Sequence, residues 1–331
     1  MDNVTIVAEA AQGFEGNPTI AVLLVRAAAA AKADVVKFQL VYADELAAPH
    51  YEYFGLFKSL EMPDAAWRAV ADEAVKHGLK LAFDIFGLRS LNLAMKLGSA
   101  AVKLHVSDFF NEPLFDAAVR SSPQVYFSVG GISAQEVRAG LARYDDTALS
   151  KLTMMVGFQA EPTKLADNHI RRLETWRQRH PNMRLGFMDH ADGDSDEAGW
   201  LGALAVAYSI SVVEKHITIE RTLRLEDYTS AATPSEFANY VSRIRSAEIA
   251  YGSAQLDLTE PEIQYRRRAL KALVATRDLP SGARIAVEDL RPLRTPLVDG
   301  REPTRHFTEA VGRKLVRSIR QYEAVYKEDV E

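Results

Sequence analysis

The chain contains no cysteine, and this absence already removes several kinds of site. Without a thiol there is no disulfide, no thiolate zinc site and no cysteine nucleophile, so any metal must have nitrogen and oxygen ligands. There is also no uninterrupted apolar run of roughly 18 residues, the length that spans a membrane. The first segment, MDNVTIVAEAAQGFEGN, lacks the basic and apolar parts of a signal peptide. We therefore expect a cytoplasmic protein with no membrane segment.

A strong charge of one sign is missing as well. The chain has 40 basic and 45 acidic residues, a formal net charge of -5. This balance gives no global field that attracts nucleic acid, so we expect small-molecule partners that bind at local charges. The hydrophobic fraction of 47% is ordinary for a globular protein. A length of 331 residues exceeds the usual size of one domain and predicts a large domain with a smaller one.

Short β-type segments alternate with helical ones from the N-terminus to Tyr251. Eight strands, each followed by a helix, are typical of a TIM barrel, although an open doubly wound sheet gives a similar count. The unbroken alternation favours an α/β fold with a TIM (β/α)8 barrel over residues 1–252. The predicted strands are 5–10, 35–40, 79–85, 101–106, 124–128, 153–157, 184–187 and 211–219, and the predicted helices are 18–32, 63–77, 90–97, 112–120, 134–144, 167–180, 196–208 and 235–251.

The character of the sequence changes after the last predicted helix. Residues 253–268 are polar, include the basic cluster Arg266–Arg268 and lack a periodic apolar face, so we interpret them as a linker. Residues 269–331 consist of short β-type pieces with a Ser-Gly turn. They predict a small β-rich domain, close to the lower size limit for independent folding.

Polar residues occur near the carboxyl end of every predicted barrel strand, which is where TIM barrels place their active sites. Residues two apart in a strand share a face, so Lys37 with Gln39, Lys103 with His105, and Glu214 with His216 each point the same way. Three such pairs in otherwise apolar strands indicate a polar site inside the barrel. The complete set of candidates is Glu9, Lys37, Gln39, Asp84, Lys103, His105, Asp108, Ser128, Gln159, Glu161, Asp189, His190, Glu214 and His216.

The residues alone leave several alternatives open. His190 and His216 are equally compatible with structural histidines at strand ends and with two ligands of one metal. The acidic run that begins at Asp189 lacks the register of a calcium loop, and a helix-capping loop explains it better. A lysine in a barrel strand must reach solvent or meet an anion, which favours a functional role for Lys37 and Lys103. The stretch FSVGGIS fits a phosphate-binding turn or a plain strand-to-helix turn.

Taken together, the motifs VVKFQ, AVKLHVSD, FSVGGIS, LGFMDH, VVEKHITIE and RDLPSG resemble the sialic acid (N-acetylneuraminate) synthase family over nearly the whole chain. Members of that family carry a TIM barrel followed by a SAF domain, which is similar to type III antifreeze protein. The resemblance therefore implies that residues 269–331 form a SAF domain. It also implies condensation of phosphoenolpyruvate with an open-chain N-acetylated aldose, giving a 2-keto-3-deoxy nonulosonic acid and phosphate.

The resemblance further implies roles for individual residues. A divalent metal, Mn²⁺ or Mg²⁺, would be held by His190 and His216, while Glu9 and Asp108 would be the catalytic acids. Arg294 would reach the sugar across a domain-swapped homodimer. The residues expected to bind substrate are Lys37, Gln39, Asp84, Lys103, Ser128, Gln159, Asp189, Asp227, Ser230 and Arg294.

The sequence also departs from the family pattern at positions that bear on phosphate binding. Asp84 stands where a hydroxyl would meet phosphate, and Val106 and Met188 replace two serines. A carboxylate beside a phosphate is repulsive unless a cation offsets it, which Lys37 and Lys103 can do. Two alternatives therefore stand beside the condensation: a metal-dependent aldol or lyase reaction with another 2-keto acid, and a non-catalytic sugar-acid-binding protein.

Overall fold

The computed structural model describes residues 3–160 and 162–331, so Glu161, a candidate from the sequence, lies outside the described residues. The chain divides into two compact units, Met1–Gly252 and Ser253–Glu331. Within the described ranges, no helix is long and apolar enough to cross a membrane.

The first unit is a closed barrel of eight parallel strands, in which β8 pairs with β1 to complete the ring. The alternation predicted from the sequence is therefore a TIM barrel, as expected, and not an open sheet. The strands are β1 Thr5–Ala11, β2 Val35–Gln39, β3 Lys80–Ile85, β4 Ala101–Leu104, β5 Val125–Ser128, β6 Leu152–Val156, β7 Arg184–Asp189 and β8 Val212–His216.

The helices of this unit begin at recognisable caps. Asn17 accepts hydrogen bonds from the backbone N–H groups of Thr19 and Ile20 and precedes Pro18, a residue suited to the first helical position. Thr233 and Glu236 form a capping box at the start of the last and longest helix. The helices are α1 Pro18–Ala30, α2 Ala43–Leu46, α3 Phe54–Ser59, α4 Asp64–Lys76, α5 Leu88–Lys96, α6 Glu112–Ser121, α7 Ala134–Leu141, α8 Asp146–Ser150, α9 Arg172–Arg179, α10 Leu201–Val206 and α11 Pro234–Tyr251.

Strand alternation separates two apolar layers. Residues such as Ile6, Val36 and Phe83 face outward and form the main core between the strands and the helices. Their neighbours along each strand face the barrel axis instead. The axial layer consists of Val7, Val35, Ala82, Ala101, Tyr126, Met155, Met188 and Val212.

The second unit has its own small core. The helix α12 Glu260–Ala269 precedes an antiparallel pair of strands, β9 Ala272–Ala275 and β10 Leu290–Leu293. Most of its remaining β structure consists of single bridges, such as the one between Leu279 and Ile319. The core residues are Leu273, Ala275, Leu279, Ile285, Leu290, Ala310, Leu315, Ile319, Val325 and Val330.

Several element boundaries differ from the predictions. β4 ends at Leu104 because His105 begins a 3-10 turn, and α9 begins at Arg172, five residues later than predicted. Most of the segment predicted to be a linker is the helix α12. None of its residues is buried, but a capping box formed by Thr259 and Glu262 starts it, so a helix forms there without the apolar face that was sought in the sequence.

Candidate active site

A cavity of about 620 Å³ opens at the carboxyl ends of the barrel strands and gathers most of the predicted site. We call it the inner cavity. All eight barrel strands or the turns after them contribute side chains, because parallel strands end at one rim of the barrel. The predicted residues that line it are Glu9, Gln39, Asp84, Lys103, Ser128, Gln159, His190 and His216.

Lys37 lies beneath this cavity as the centre of a buried charge cluster. Its side chain is 0% exposed and its ammonium contacts Glu9, lies 2.6 Å from Asp84 Oδ1 and lies 3.5 Å from Glu214 Oε2. Burial lowers the pKa of Lys37, while the carboxylates of Asp84 and Glu214 oppose that shift. Glu9 is itself held by the backbone N–H of Ala11, which donates to its second oxygen at 2.7 Å. The cluster thus fixes a carboxylate at the first strand end.

Lys103 is the second cation of the cluster. It donates to Glu214, and its ammonium lies 3.9 Å from Asp84. Burial acts to lower the pKa of Lys103, but the carboxylates of Asp84 and Glu214 outweigh burial and raise it. Burial acts to raise the pKa of Glu214, but the ammoniums of Lys103 and Lys37 outweigh burial and lower it to about 2. Two ammoniums therefore face three carboxylates, and the cluster carries one negative charge in excess.

His190 and His216 meet beside this cluster, with ring centroids 5.2 Å apart. Burial holds the pKa of His190 well below its usual value and lowers that of His216 to about 3. Both rings are therefore neutral, which is the form that binds metals. The Nδ1 atom of each ring is buried and has no hydrogen-bond partner.

These features fit a divalent cation next to an excess of negative charge. The described part of the chain contains no cluster of three or more His, Asp or Glu residues placed to hold a metal. The two imidazoles would therefore supply only part of a coordination sphere, and water or substrate oxygens would supply the rest.

A second cavity of about 670 Å³, which we call the outer cavity, shares Gln39, His105 and Gln159 with the inner one. Asp227 lies in it, 3.7 Å from His216 Nδ1, and accepts a hydrogen bond of 2.6 Å from Gln159. Burial raises the pKa of Asp227, and the hydrogen bond from Gln159 opposes that shift. The apolar part of the lining includes three aromatic side chains, Tyr51, Phe57 and Phe86.

The turn after β5 forms one wall of the inner cavity. Gly131 has φ +82°, and a Cβ at Gly130 would lie 2.5 Å from the carbonyl oxygen of Gly157, so both positions require glycine. Ser128 lines the cavity just before this turn. Arg172, at the start of α9, lines the same wall, and none of the acidic side chains described in the structure pairs with it. This wall therefore offers a hydroxyl and an uncompensated cation.

Besides Lys37, which lies beneath the inner cavity, four residues with an expected role line neither cavity. Asp108 accepts hydrogen bonds from Ser107 and Asn111 within the turn after β4. Asp189 is 0% exposed on the outward face of β7, where Lys215 contacts it, so the structure does not bring it to the cavity where it was expected to contact substrate. Ser230 is buried and donates to the His190 carbonyl, so it supports the histidine from behind. Arg294 belongs to the second unit, where it donates to the Ala269 carbonyl.

Three residues to which no catalytic, substrate-binding or metal-binding role was assigned also line the inner cavity. Glu214 and His105 were noted as partners of His216 and Lys103 on a shared strand face, and that alternation was a sufficient signal for both. Arg172 had no such signal, because it lies on an exposed helix turn that only the fold brings to the cavity.

Comparison with known proteins agrees with this geometry. The sequence profile of the NeuB family matches residues 24–256, and that of the SAF domain matches residues 271–331. The N,N'-diacetyllegionaminic acid synthase of Legionella pneumophila is 26% identical over 307 residues, covering 87% of this chain and 85% of that protein. The N-acetylneuraminate-9-phosphate synthase of Mus musculus is 23% identical over 340 residues, covering 98% of this chain and 92% of that protein. A crystal structure of N-acetylneuraminic acid synthetase from Leptospira borgpetersenii, in complex with citrate, has a TM-score of 0.73 at 25% identity and covers 81% of this chain and 93% of that one.

Proposed function

The chain belongs to the NeuB family and ends in a SAF domain, and from this premise we propose that it condenses phosphoenolpyruvate with an open-chain aldose. The product would be a 2-keto-3-deoxy sugar acid of the nonulosonic type, and phosphate would be released. The activities for which the relatives are named, synthesis of N,N'-diacetyllegionaminic acid and of N-acetylneuraminate-9-phosphate, support this class of reaction and an N-acetylated hexosamine-like acceptor.

One observation carries the proposal: a fixed carboxylate, two buried ammoniums and two neutral imidazoles meet in one cavity at the carboxyl end of the barrel. A protein that only binds a sugar acid does not need a carboxylate side chain held beside two neutral histidines. This arrangement suits a reaction that forms a carbon–carbon bond at a polarised carbonyl.

The donor would lie between the lysines and the wall of the β5 turn. Lys103 and the hydroxyl of Ser128 face the inner cavity, and Arg172 adds a cation without a carboxylate partner. Arg172 thereby offsets the hydroxyls that are absent at Val106 and Met188, which line the same cavity with apolar groups.

The proposed reaction balances without an oxidant or a reductant. C3 of phosphoenolpyruvate bonds to the aldehyde carbon, and water adds its oxygen at C2, where phosphate leaves with the electrons of the broken C–O bond. Of the two protons that water gives up, one goes to the former aldehyde oxygen and one to the departing phosphate. Glu9 is the carboxylate in the cavity suited to take the proton of that water, since two fixed donors hold it in place. A divalent cation at His190 and His216 would act as a Lewis acid on the acceptor carbonyl.

The acceptor would extend into the outer cavity. Gln39, Gln159 and Asp227 present amide and carboxylate groups suited to sugar hydroxyls, and the aromatic side chains offer an apolar face to an acyl group. We therefore place the reacting aldehyde at the junction that Gln39, His105 and Gln159 form between the two cavities.

Asp84 favours a second candidate function. Its carboxylate lies 2.6 Å from Lys37 and leaves the cluster with excess negative charge, which disfavours a multiply charged phosphate donor. A metal-dependent aldol reaction with an unphosphorylated 2-keto acid such as pyruvate would avoid that repulsion.

Phosphate release separates the two candidates. We would incubate the protein with Mn²⁺, either phosphoenolpyruvate or pyruvate, and a panel of N-acetylated and plain aldoses, beside the His190→Ala, His216→Ala and Asp84→Asn variants. Release that depends on the aldose and is abolished by both histidine changes supports the condensation. If only pyruvate is consumed with an aldose, the second candidate is correct.

Three further parts of the proposal rest on the sequence and the family, and not on the geometry of the site. They are the cytoplasmic location, the domain-swapped homodimer and a role for Arg294 at the acceptor. Each stays a prediction, as does the catalytic role of Asp108.

A further inference from the structure

A third cavity, of about 590 Å³, opens at the opposite, amino-terminal mouth of the barrel. We call it the amino-terminal cavity. Its wall is formed by the first residues of several strands, among them Lys80 of β3 and Arg184 of β7. The axial apolar layer, which includes Val7, Ala82 and Met155, lies between this cavity and the inner cavity. It is therefore a separate compartment from the proposed active site.

The charges of this cavity are uncompensated. Lys80 and Arg184 line it, and no carboxylate lines it among the residues that the structure describes. Arg184 donates one hydrogen bond of 2.7 Å, to the carbonyl of Ser150, and within the described ranges neither cation has an ion-pair partner. Burial lowers the pKa of Arg184, as expected for a partly desolvated cation without a counter-charge. A bound anion would therefore offset the charges of these two cations.

A buried hydroxyl adds a second, independent observation. Thr153 is 1% exposed, and its Oγ1 has no hydrogen-bond partner among the residues that the structure describes. Thr153 shares a strand face with Met155 of the axial layer, so its side chain points into the barrel, and it lies directly opposite Arg184 in the β6–β7 register. Buried polar groups without a partner are rare because each costs free energy, and a bound oxyanion would satisfy this one.

The phenol of Tyr126 and the hydroxyl of Ser211 are further neutral donors around this cavity. The possible donors thus come from different strands around the axis. That distribution suits a tetrahedral oxyanion better than a planar carboxylate, which is bound best by one forked partner.

We propose that the amino-terminal cavity binds a small phosphate-bearing anion, either inorganic phosphate or a short phosphate ester. Arg184 and Lys80 supply the cations, and Thr153 supplies a hydroxyl donor. The site lies outside the catalytic residues, so the proposal stands independently of the reaction at the other end of the barrel.

The absence of cysteine allows a direct test, since one introduced thiol is unique. Ser211→Cys places a thiol in the amino-terminal cavity, and Ser107→Cys places one in the outer cavity as a control. The rate of reaction with a thiol reagent is measured with inorganic phosphate, glycerol phosphate or succinate, against chloride at equal ionic strength. We expect phosphate and its ester to slow the reaction of Ser211→Cys in a saturable manner, with succinate much weaker.

Variants assign the effect to the two cations. Arg184→Gln in the Ser211→Cys background should weaken protection about tenfold, the loss expected from one charge-assisted contact, and leave the Ser107→Cys control unchanged. Lys80→Gln, at an exposed position where folding is not at risk, should weaken protection as well. The proposal is overturned if phosphate protects no better than chloride, if succinate protects equally, or if protection survives both substitutions.

Discussion

The ammonium of Lys215 lies 3.3 Å from Oδ1 of Asp189, and both side chains are 0% exposed. They occupy the outward faces of β8 and β7, each one residue before a site histidine, and Lys215 also lies over the ring of Tyr240 from α11. The same aspartate oxygen accepts a hydrogen bond from the backbone of Ala191. This pair therefore ties together the two strand ends that present His190 and His216.

Removing one partner of this pair should strongly destabilise the protein. Lys215→Met keeps most of the volume but leaves the Asp189 charge buried and unpaired, which costs about 3–5 kcal/mol of unfolding free energy. Urea denaturation measures the loss. The double variant Lys215→Met/Asp189→Leu is the control and should recover most of it, because no uncompensated charge remains. A loss below about 1 kcal/mol in the single variant, the value of an exposed pair, would contradict this account.

Metal binding should stabilise the folded protein through the two histidines. Mn²⁺ at a hundredfold excess over its dissociation constant adds about 2.7 kcal/mol, which appears as a raised melting temperature. His190→Ala and His216→Ala should each remove that increase, whereas His77→Ala, at a surface position directly after α4 and outside the cavities, should retain it. An unchanged increase in both site variants would place the metal elsewhere.

Arg172 should bind the donor. Arg172→Gln is expected to raise KM for phosphoenolpyruvate about tenfold with a smaller effect on kcat, because the contact is made in the ground state as well. Arg171→Gln changes the neighbouring surface arginine and serves as the matched control. Steady-state kinetics with a fixed acceptor would show the difference, and an equal KM in the two variants would argue against a donor contact at Arg172.

Lowering the pH should remove the stabilisation of the folded protein by Glu236, which caps α11 and pairs with Arg221. The pairing with Arg221 holds the pKa of Glu236 at about 2, below the ordinary 4.5. A lowered folded-state pKa means that the stabilisation is fully present above about pH 4.5 and is lost as the pH falls toward about 2. The Glu236 side chain is 41% exposed, so solvent screening limits the contribution of the pair to the free energy of unfolding to about 1 kcal/mol. The difference in unfolding free energy between the wild type and Glu236→Gln should therefore be constant at neutral pH and shrink in acid; a difference independent of pH would refute the assignment.

The barrel could be predicted because its signal is periodic: each strand has a short apolar run and each helix a repeating apolar face. Lys37, Lys103 and the two histidines could be predicted for the same reason, since alternation places them on inward faces at strand ends. Alternation also explains why Asp189 does not line the cavity with His190. Adjacent residues of a strand face opposite sides, so Asp189 and His190 cannot both enter one cavity.

The rest of the site depends on features that short sequence patterns do not carry. The hydrogen bonds that hold Asp108 outside the cavities form within a 3-10 turn, and a periodic sequence pattern does not predict such a turn. Arg172 reaches the cavity because α9 packs next to the β5 turn, a long-range relationship. The helix within the predicted linker is stabilised by its capping box and by exposed helix-forming residues. It lacks the buried apolar face by which a helix is recognised in a sequence.

The most direct test of the central claim is the mass of the product formed from phosphoenolpyruvate labelled with ¹³C at every carbon. With Mn²⁺ and an N-acetylated hexosamine, we predict a 2-keto acid that contains all the labelled carbons joined to the intact sugar, together with one phosphate for each product. Labelled pyruvate and phosphate with no sugar adduct would show hydrolysis instead of condensation and would contradict the proposed function.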